Sequence, residues 1–374
     1  MVRFIHTADW QIGKHFANIP GDAGAALRSQ RIDTVKAIAA LARTEEVDAV
    51  LVAGDVFDAN TVSDRTIRQL VNALSGFSGD WVFIPGNHDA ALAVSAWSRL
   101  SGMGAPPNVK LALTPEPLMV ADGRIALLPA VLQRRHEVGD LTEWFDGAVT
   151  PAGVPRIGLA HGSVPEWLPS QSEAPNPIAP DRPTRARLDY LGLGDWHGTL
   201  KINDHCWYAG TPEADRFTSS DPGNVLLVDV QGAGAPPVVE RRRVGRYRWS
   251  QQDATLNDPA DLEAVGRLLG SLEGDHADHL VWLRLEGLID FAGRRHLDEM
   301  CADWEGRFHH LRLDQDGLTA VPNEDDIDLI DRSGFVREAI EHLRGIAASP
   351  GHEQASTARD ALLRLYQEHV RLGN

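Results

Sequence analysis

The sequence predicts an α/β fold in which two β-sheets pack face to face with helices outside, followed by a smaller α+β domain and C-terminal helices. Three observations predict this arrangement. Over the first 230 residues, short apolar runs alternate with helical patterns. Several of the later runs follow one another with few helices between them. Beyond residue 247 the pattern becomes helix, strand, helix, strand, which indicates a second domain.

The first domain contains eight predicted strands. Each is a short apolar run bounded by polar or turn-forming residues, as expected for a buried strand. Between the first three strands, apolar residues recur at helical spacing, and Ser63 is placed to cap the second of these two helices. The predicted strands are 2–5, 47–52, 81–84, 109–113, 125–128, 157–160, 190–193 and 225–230.

The rest of the chain is predicted to form two further parts. Asp258 and Pro259 suit the cap and first residue of a helix, and strands follow at 279–285 and 308–313 with a helix between them. Two amphipathic helices end the chain. We therefore predict a first domain over 1–245, an α+β domain over 246–331 that ends in an acidic linker, and a helical segment over 332–374.

Composition limits the function classes. The net charge of −17 argues against a protein held on nucleic acid by a general basic field, although a local basic groove stays open. Two cysteines provide neither a disulfide framework nor a cysteine-type zinc site. No signal-peptide pattern opens the chain, and no apolar run approaches the roughly 20 residues of a membrane span. We expect a cytoplasmic protein.

Five polar clusters directly follow predicted strands. The carboxyl ends of strands in an open α/β sheet are where ligands bind. Aspartate, asparagine and histidine together are ligands for hard to borderline metal ions. The pattern therefore predicts metal-assisted hydrolysis of phosphoesters. The clusters are Asp9-Trp10-Gln11, Gly54-Asp55-Val56-Phe57-Asp58, Gly86-Asn87-His88-Asp89, Ala160-His161-Gly162 and Gly194-Asp195-Trp196-His197.

In this order, the five clusters resemble the motif blocks of the calcineurin-like metallophosphoesterase superfamily. The resemblance covers about residues 1–230 and implies a four-layer metallophosphoesterase β-sandwich flanked by helices. It also implies two cations that clamp a phosphoester and activate a water molecule. By the family pattern Asp55 bridges the two ions. Asp9 and His197 bind the first ion, and Asn87 and His161 bind the second.

Three other residues receive roles from the same resemblance. His88 is expected to reach the phosphate, where it stabilises charge or protonates the leaving oxygen. Asp89 is expected to orient His88 and raise its basicity. Asp58 is placed to hold one of the metal ligands.

Two positions depart from the family pattern. Gln11 and Asp195 stand where the family usually has histidines that bind metal, so two imidazoles are replaced by an amide and a carboxylate. We predict both as ligands. A site with more oxygen donors favours Mn²⁺ over Zn²⁺. Mg²⁺ is the other candidate. The alternative is that the first ion binds weakly and activity is low.

Two segments and the domain order resemble the SbcD-type DNA repair nucleases. They are residues 4–10 and residues 207–213, after the last metal cluster. The resemblance implies a manganese-dependent DNA exonuclease or endonuclease in DNA repair and recombination, with a capping domain. It implies an SbcC-like coiled-coil ATPase as partner on the C-terminal helices, and a homodimer is a further expectation. A small-molecule phosphodiesterase or phosphatase, and a non-catalytic scaffold protein, are the alternatives.

Overall fold

A computed structural model of the chain describes residues 1–165, 167, 176–320, 334–347, 349 and 352–371. The chain divides into two compact units, Met1–Arg248 and Trp249–Asn374. The predicted acidic linker lies outside the described residues. The finer division into three parts stays a prediction.

The first unit contains two six-stranded sheets. The first sheet has the strand order β12-β11-β1-β2-β3-β4, and the second has the order β5-β6-β7-β8-β10-β9. The strands are β1 Val2–Thr7, β2 Ala49–Ala53, β3 Asp80–Ile84, β4 Val109–Leu111, β5 Leu118–Val120, β6 Ile125–Pro129, β7 Arg156–His161, β8 Tyr190–Gly194, β9 Leu200–Asn203, β10 Cys206–Tyr208, β11 Asn224–Val230 and β12 Val238–Arg243.

Three helices cover the outer face of the first sheet. They are α1 Gly21–Thr44, α2 Asp64–Leu74 and α3 Ala96–Gly102. Ser63 caps α2 as predicted, because its side chain accepts the backbone N–H of Thr66. The outer face of the second sheet is covered differently, by loops, a 3₁₀ turn at Glu143–Gly147 and the four-residue helix α4 Arg182–Arg185.

Separate hydrophobic clusters lie between these layers. One joins the first sheet to its helices and includes Val35, Leu70 and Trp97. The second lies between the two sheets and includes Phe4 and Leu159. A third covers the outer face of the second sheet. The four-layer α/β sandwich predicted from the sequence is therefore confirmed, with one thin outer layer.

Parallel pairing places the functional loops at one edge of the sandwich. Strands β1, β2 and β3 are parallel neighbours in the first sheet, and β7 and β8 are parallel neighbours in the second. Their carboxyl ends carry the five polar clusters. We call the place where these loops meet the metal edge.

The second unit is an α+β structure with two further helices. Its sheet has the order β13-β14-β15, and β14 pairs in parallel with β15. Asp258 caps α5 as predicted. The elements are β13 Arg248–Leu256, α5 Pro259–Gly270, β14 His279–Ile289, α6 Phe291–Arg307, β15 His310–Ala320, α7 Phe335–Ala347 and α8 Ala355–Arg371. Among the described residues, no helix combines the length and apolar character that a bilayer crossing requires.

Candidate metal centre

Three predicted ligands come together from three strands. Asp9 follows β1, Asp55 follows β2 and His161 ends β7. One ligand atom from each lies within 4.8 Å of the other two, and all three residues are buried. The His161 Nδ1–H donates to the carbonyl of Ala53 at 2.8 Å, so Nε2 faces the carboxylates. His161 Nε2 is 3.5 Å from Asp55 Oδ1.

Asn87 and Asp195 extend this group toward the second sheet. The Asn87 side-chain amide donates to Asp195 Oδ1 at 3.2 Å. The same oxygen is 3.7 Å from His161 Nε2, and Asp195 Oδ2 accepts the hydroxyl of Ser163 at 2.9 Å. Asn87, His161 and Asp195 therefore lie together beside Asp55.

The other predicted set gathers around Asp9. The backbone N–H of Asp195 donates to both carboxylate oxygens of Asp9 at 3.2 Å. His197 lies close enough for its charge to affect Asp9. Its Nδ1 is 3.3 Å from Asp215 Oδ1. The histidine assigned to the first ion is thus held by a carboxylate that the sequence did not point to.

Gln11 contacts the centre through its amide nitrogen. Its Nε2 donates to Asp55 Oδ2 at 2.8 Å, and the residue is buried. In this arrangement Gln11 holds the predicted bridging carboxylate by a hydrogen bond. Its role as a metal ligand stays a prediction.

The contact predicted between Asp89 and His88 is wrong. The carboxylate of Asp89 is fully buried and accepts the backbone N–H of Gly86 at 2.6 Å and of Phe57 at 3.0 Å. Instead, the His88 Nδ1–H donates to the backbone carbonyl of Asp58 at 2.8 Å. The reason is local, because Asp89 lies under two loops whose N–H groups need an acceptor. Asp58 thus acts on His88 through its backbone.

A cluster of aromatic side chains packs against these loops. Trp10 is buried and packs edge-on against Trp81 and Phe83. Trp97 packs against Phe57, and its indole N–H donates to the carbonyl of Asp89 at 2.5 Å. Such ring pairs contribute about 0.5–1.5 kcal/mol each beyond their buried area. The loops therefore rest on a rigid base.

Comparison with known families decides the classification. Residues 2–228 match the family model of the calcineurin-like phosphoesterases. The chain belongs to the calcineurin-like phosphoesterase family. Membership and the Asp9–Asp55–His161 cluster together support a metal-dependent phosphoester hydrolase.

Individual relatives match shorter stretches of this phosphoesterase. It is 31% identical over 104 residues to the SbcD subunit of the SbcCD nuclease of Bacillus subtilis, covering 27% of this chain and 25% of that protein. It is 34% identical over 100 residues to the SbcD subunit of Rhodobacter capsulatus, covering 25% of this chain and 23% of that protein. The matches thus span about a quarter of these relatives. A purple acid phosphatase of yellow lupin matches at 14% identity and a TM-score of 0.41, over 65% of this chain and 51% of that one.

The phosphoesterase centre has unsatisfied polar atoms that suit a cation. Asn87 Oδ1 and His161 Nε2 are buried and have no hydrogen-bond partner among the described residues. Both are predicted ligand atoms. A buried polar atom without a partner costs about 1–3 kcal/mol, which a metal ion bound there would recover. The donor set therefore fits a divalent metal.

The charges of the centre also favour the binding of a divalent metal ion. Burial, together with the neighbouring carboxylates of Asp55 and Asp195, raises the pKa of Asp9 to about 7, against the lowering effect of two histidines. Burial lowers the pKa of His161, but Asp55, Asp9 and Asp195 raise it more, to about 9. These carboxylates crowd together in a buried place, so a divalent cation would relieve their repulsion.

The backbone at the metal edge is strained where the ligands sit. Asp9, Asp55 and Asp195 have φ values of 54°, 53° and 99°, in a region that residues with side chains rarely adopt. Gly86 is required for a different reason, because a Cβ there would lie 2.2 Å from Asp55 Oδ1. Strain of this kind is typical of functional sites.

Several contributors could not be found from the sequence. Ser163 and Asp215 are single polar residues outside any motif block, and only the fold brings them to Asp195 and His197. His6 lies three residues before Asp9, outside the five motif clusters. It is fully buried, with Nδ1 2.8 Å from the hydroxyl of Tyr190.

Proposed function

We propose that the protein is a metal-dependent DNA nuclease, an exonuclease or endonuclease that processes DNA ends in repair or recombination. One observation carries the proposal. Asp9, Asp55 and His161 bring ligand atoms within 4.8 Å of one another, and Asn87 and Asp195 lie beside His161. The sequence likeness to the SbcD subunit of the SbcCD nuclease supports DNA as the substrate.

Two Mn²⁺ ions are the proposed cofactors, with Mg²⁺ as the second choice. Bound together, such ions polarise a phosphodiester and generate a nucleophilic hydroxide from water. Asp55 is proposed to contact both. The carboxylates of Asp9 and Asp195 add negative charge that suits hard cations better than Zn²⁺.

His88 is proposed to act on the substrate. The backbone of Asp58 fixes Nδ1, which leaves Nε2 on the side of the centre, 4.0 Å from Asp55 Oδ2. The side chain is 35% exposed, so a phosphate can reach it. A protonated His88 can stabilise the developing charge and give its proton to the leaving oxygen.

An SbcC-like ATPase is the proposed partner, docked on the C-terminal helices. Helices α7 and α8 pack against each other through Ile340 and Leu362. Phe335, at the start of α7, is 83% exposed. Exposed aromatic residues are common at interfaces between proteins. A homodimer is proposed on the sequence resemblance alone.

The hydrogen bond from Gln11 to Asp55 favours one alternative function. An amide nitrogen bonded to Asp55 is not a metal ligand, so a scaffold protein without catalysis is the second candidate. A small-molecule phosphodiesterase is the third.

One assay separates the three. Purified protein with Mn²⁺ is given labelled single-stranded, double-stranded and hairpin DNA, and a chromogenic phosphodiester beside them. We expect cleavage of DNA by the wild type and none by Asp55→Asn. Turnover of the chromogenic ester alone would favour the small-molecule enzyme. Inactivity on every substrate, with metal bound, would favour the scaffold.

A further inference from the structure

We propose that Asp215 is a positioning residue that fixes the ring of His197 for metal binding. The inference rests on the proposed function, because it takes His197 as a ligand of the first ion. Asp215 lies in the loop between β10 and β11, outside the five motif clusters.

The carboxylate of Asp215 is buried directly behind His197. Its side chain is 1% exposed. Oδ1 is 3.3 Å from His197 Nδ1, and Oδ2 accepts from Lys14 Nζ at 2.5 Å. Arg216 Nε also donates to Oδ1, at 3.2 Å. These contacts hold the carboxylate in one orientation from three sides.

This placement selects one tautomer of the imidazole. A carboxylate can only accept, so His197 must carry its proton on Nδ1 to bond with Asp215. The lone pair is then on Nε2, the atom on the opposite side of the ring. Carboxylates that hold metal-binding histidines in this way fix the ring and raise its basicity.

Arg216 competes for the same ring nitrogen. Its Nη2 is 2.9 Å from His197 Nδ1. A guanidinium can only donate, so this contact requires the tautomer in which Nδ1 has the lone pair and Nε2 carries the proton. The two contacts differ in environment, because Arg216 is 58% exposed and Asp215 is buried. Water screens the contact of the arginine far more than that of the carboxylate. The tautomer set by Asp215 therefore prevails, and Arg216 keeps its ion pair with Asp215.

Buried and half-buried cations keep Asp215 in place. Besides Lys14, the fully buried Arg31 lies near, held by the carbonyls of Trp10 and Ala214. A buried carboxylate without such partners would be costly. The cluster links the loop of Asp215 to the loop that follows β1 and carries the first metal cluster.

Glu213 offers a matched control two residues away. It is also buried, but its carboxylate accepts from the hydroxyl of Thr34 at 2.7 Å and from the backbone N–H groups of Arg246 and Tyr247 at 2.9 Å. Its hydrogen bonds therefore hold the chain and not the ring of His197. Removing its charge by Glu213→Gln therefore shows how a purely structural defect in this segment affects metal binding.

Calorimetric titration of Mn²⁺ into metal-free protein tests the proposal, with the wild type, Asp215→Asn and Glu213→Gln side by side. In Asp215→Asn we expect the affinity for one ion to fall roughly 10- to 100-fold. The affinity for the other ion, held by Asn87, His161 and Asp195, should not change, which also shows that the variant is folded. In Glu213→Gln both affinities should match the wild type, although the protein unfolds at a lower temperature.

Two results would overturn the inference. Wild-type affinities for both ions in Asp215→Asn would mean that the carboxylate does not position His197. Equal losses at both ions in the two variants would mean that Asp215 is only structural. A wild type that binds fewer than two ions is a separate outcome, because it refutes the proposed two-metal centre itself.

Discussion

The carboxylate of Asp55 contacts three residues of the centre. Oδ1 accepts the backbone N–H of His88 at 2.8 Å and faces His161, while Oδ2 accepts from Gln11. Its position was predictable, because a carboxylate directly after a buried strand lies at the metal edge. The contact of Gln11 was not, because an amide in a loop can present either its oxygen or its nitrogen.

At the residue scale, His88 should act on the substrate and not on the metal. We predict that His88→Ala keeps Mn²⁺ but lowers the rate of hydrolysis roughly 10²- to 10⁴-fold, the usual contribution of a general acid. Metal analysis and kinetics on the same sample measure both effects. Loss of Mn²⁺ from this variant would make His88 a ligand.

Gln11 and Asp195, which depart from the family pattern, should determine which metal ion the centre prefers. The variant that combines Gln11→His with Asp195→His replaces an amide and a carboxylate by imidazoles. We predict tighter Zn²⁺ binding and a smaller preference for Mn²⁺, because imidazole suits Zn²⁺. Titration of each metal into metal-free wild type and variant measures this preference. Identical preferences would place both residues outside the set of ligands.

At the element scale, hydrogen bonds join the loops at the metal edge to one another. Most strands behind them were predictable, because each is a short apolar run with buried neighbours. The strand Val238–Arg243 was not predicted, since most of its side chains are exposed or half-buried and it lies at a sheet edge. Nor could the sequence show that Asp89 joins the loop after β3 to the loop after β2, since that contact depends on how the loops stack.

Removing that contact should loosen both loops. We predict that Asp89→Ala lowers the free energy of unfolding by about 1–3 kcal/mol for each of the two N–H groups left without an acceptor, those of Gly86 and Phe57. Urea unfolding measures the change. The control is Asp33→Ala, which removes an exposed pair with Lys36 and should change the value by less than about 1 kcal/mol. Similar values for both variants would contradict this role of Asp89.

At the scale of the whole molecule, two sheets share one centre. The second sheet brings His161, Ser163 and Asp195 to the loops of the first. The sandwich was predictable from its strands, and it then explains why residues more than 100 positions apart meet. The thin cover of the second sheet was not predictable, because packing of loops and short turns leaves no periodic pattern.

The buried charges predict opposite effects of pH with and without metal. Burial raises the pKa of Asp9 and of Asp89 from 3.8 to about 7. A carboxyl with a raised pKa stabilises the fold below its ordinary pKa and loses that contribution as pH rises through the raised value. The metal-free protein should therefore lose thermal stability between about pH 4 and 7.

Stabilisation by Mn²⁺ should grow over the same interval, because the ion binds ionised carboxylates. A gain of about 2 kcal/mol would raise the unfolding midpoint by about 4–8 °C. Thermal unfolding at several pH values across this interval, with and without saturating Mn²⁺, measures it. A shift of the midpoint that does not depend on pH would argue against buried carboxylates as ligands.

Anomalous scattering from a Mn²⁺-soaked crystal would locate the two metal ions that Asp55 is proposed to bridge. We predict two anomalous peaks per chain, about 3.5–4 Å apart, with the carboxylate of Asp55 between them. Asp9 and His197 should contact one peak, and Asn87, His161 and Asp195 the other. A single peak, or two peaks that do not share Asp55, would contradict this prediction.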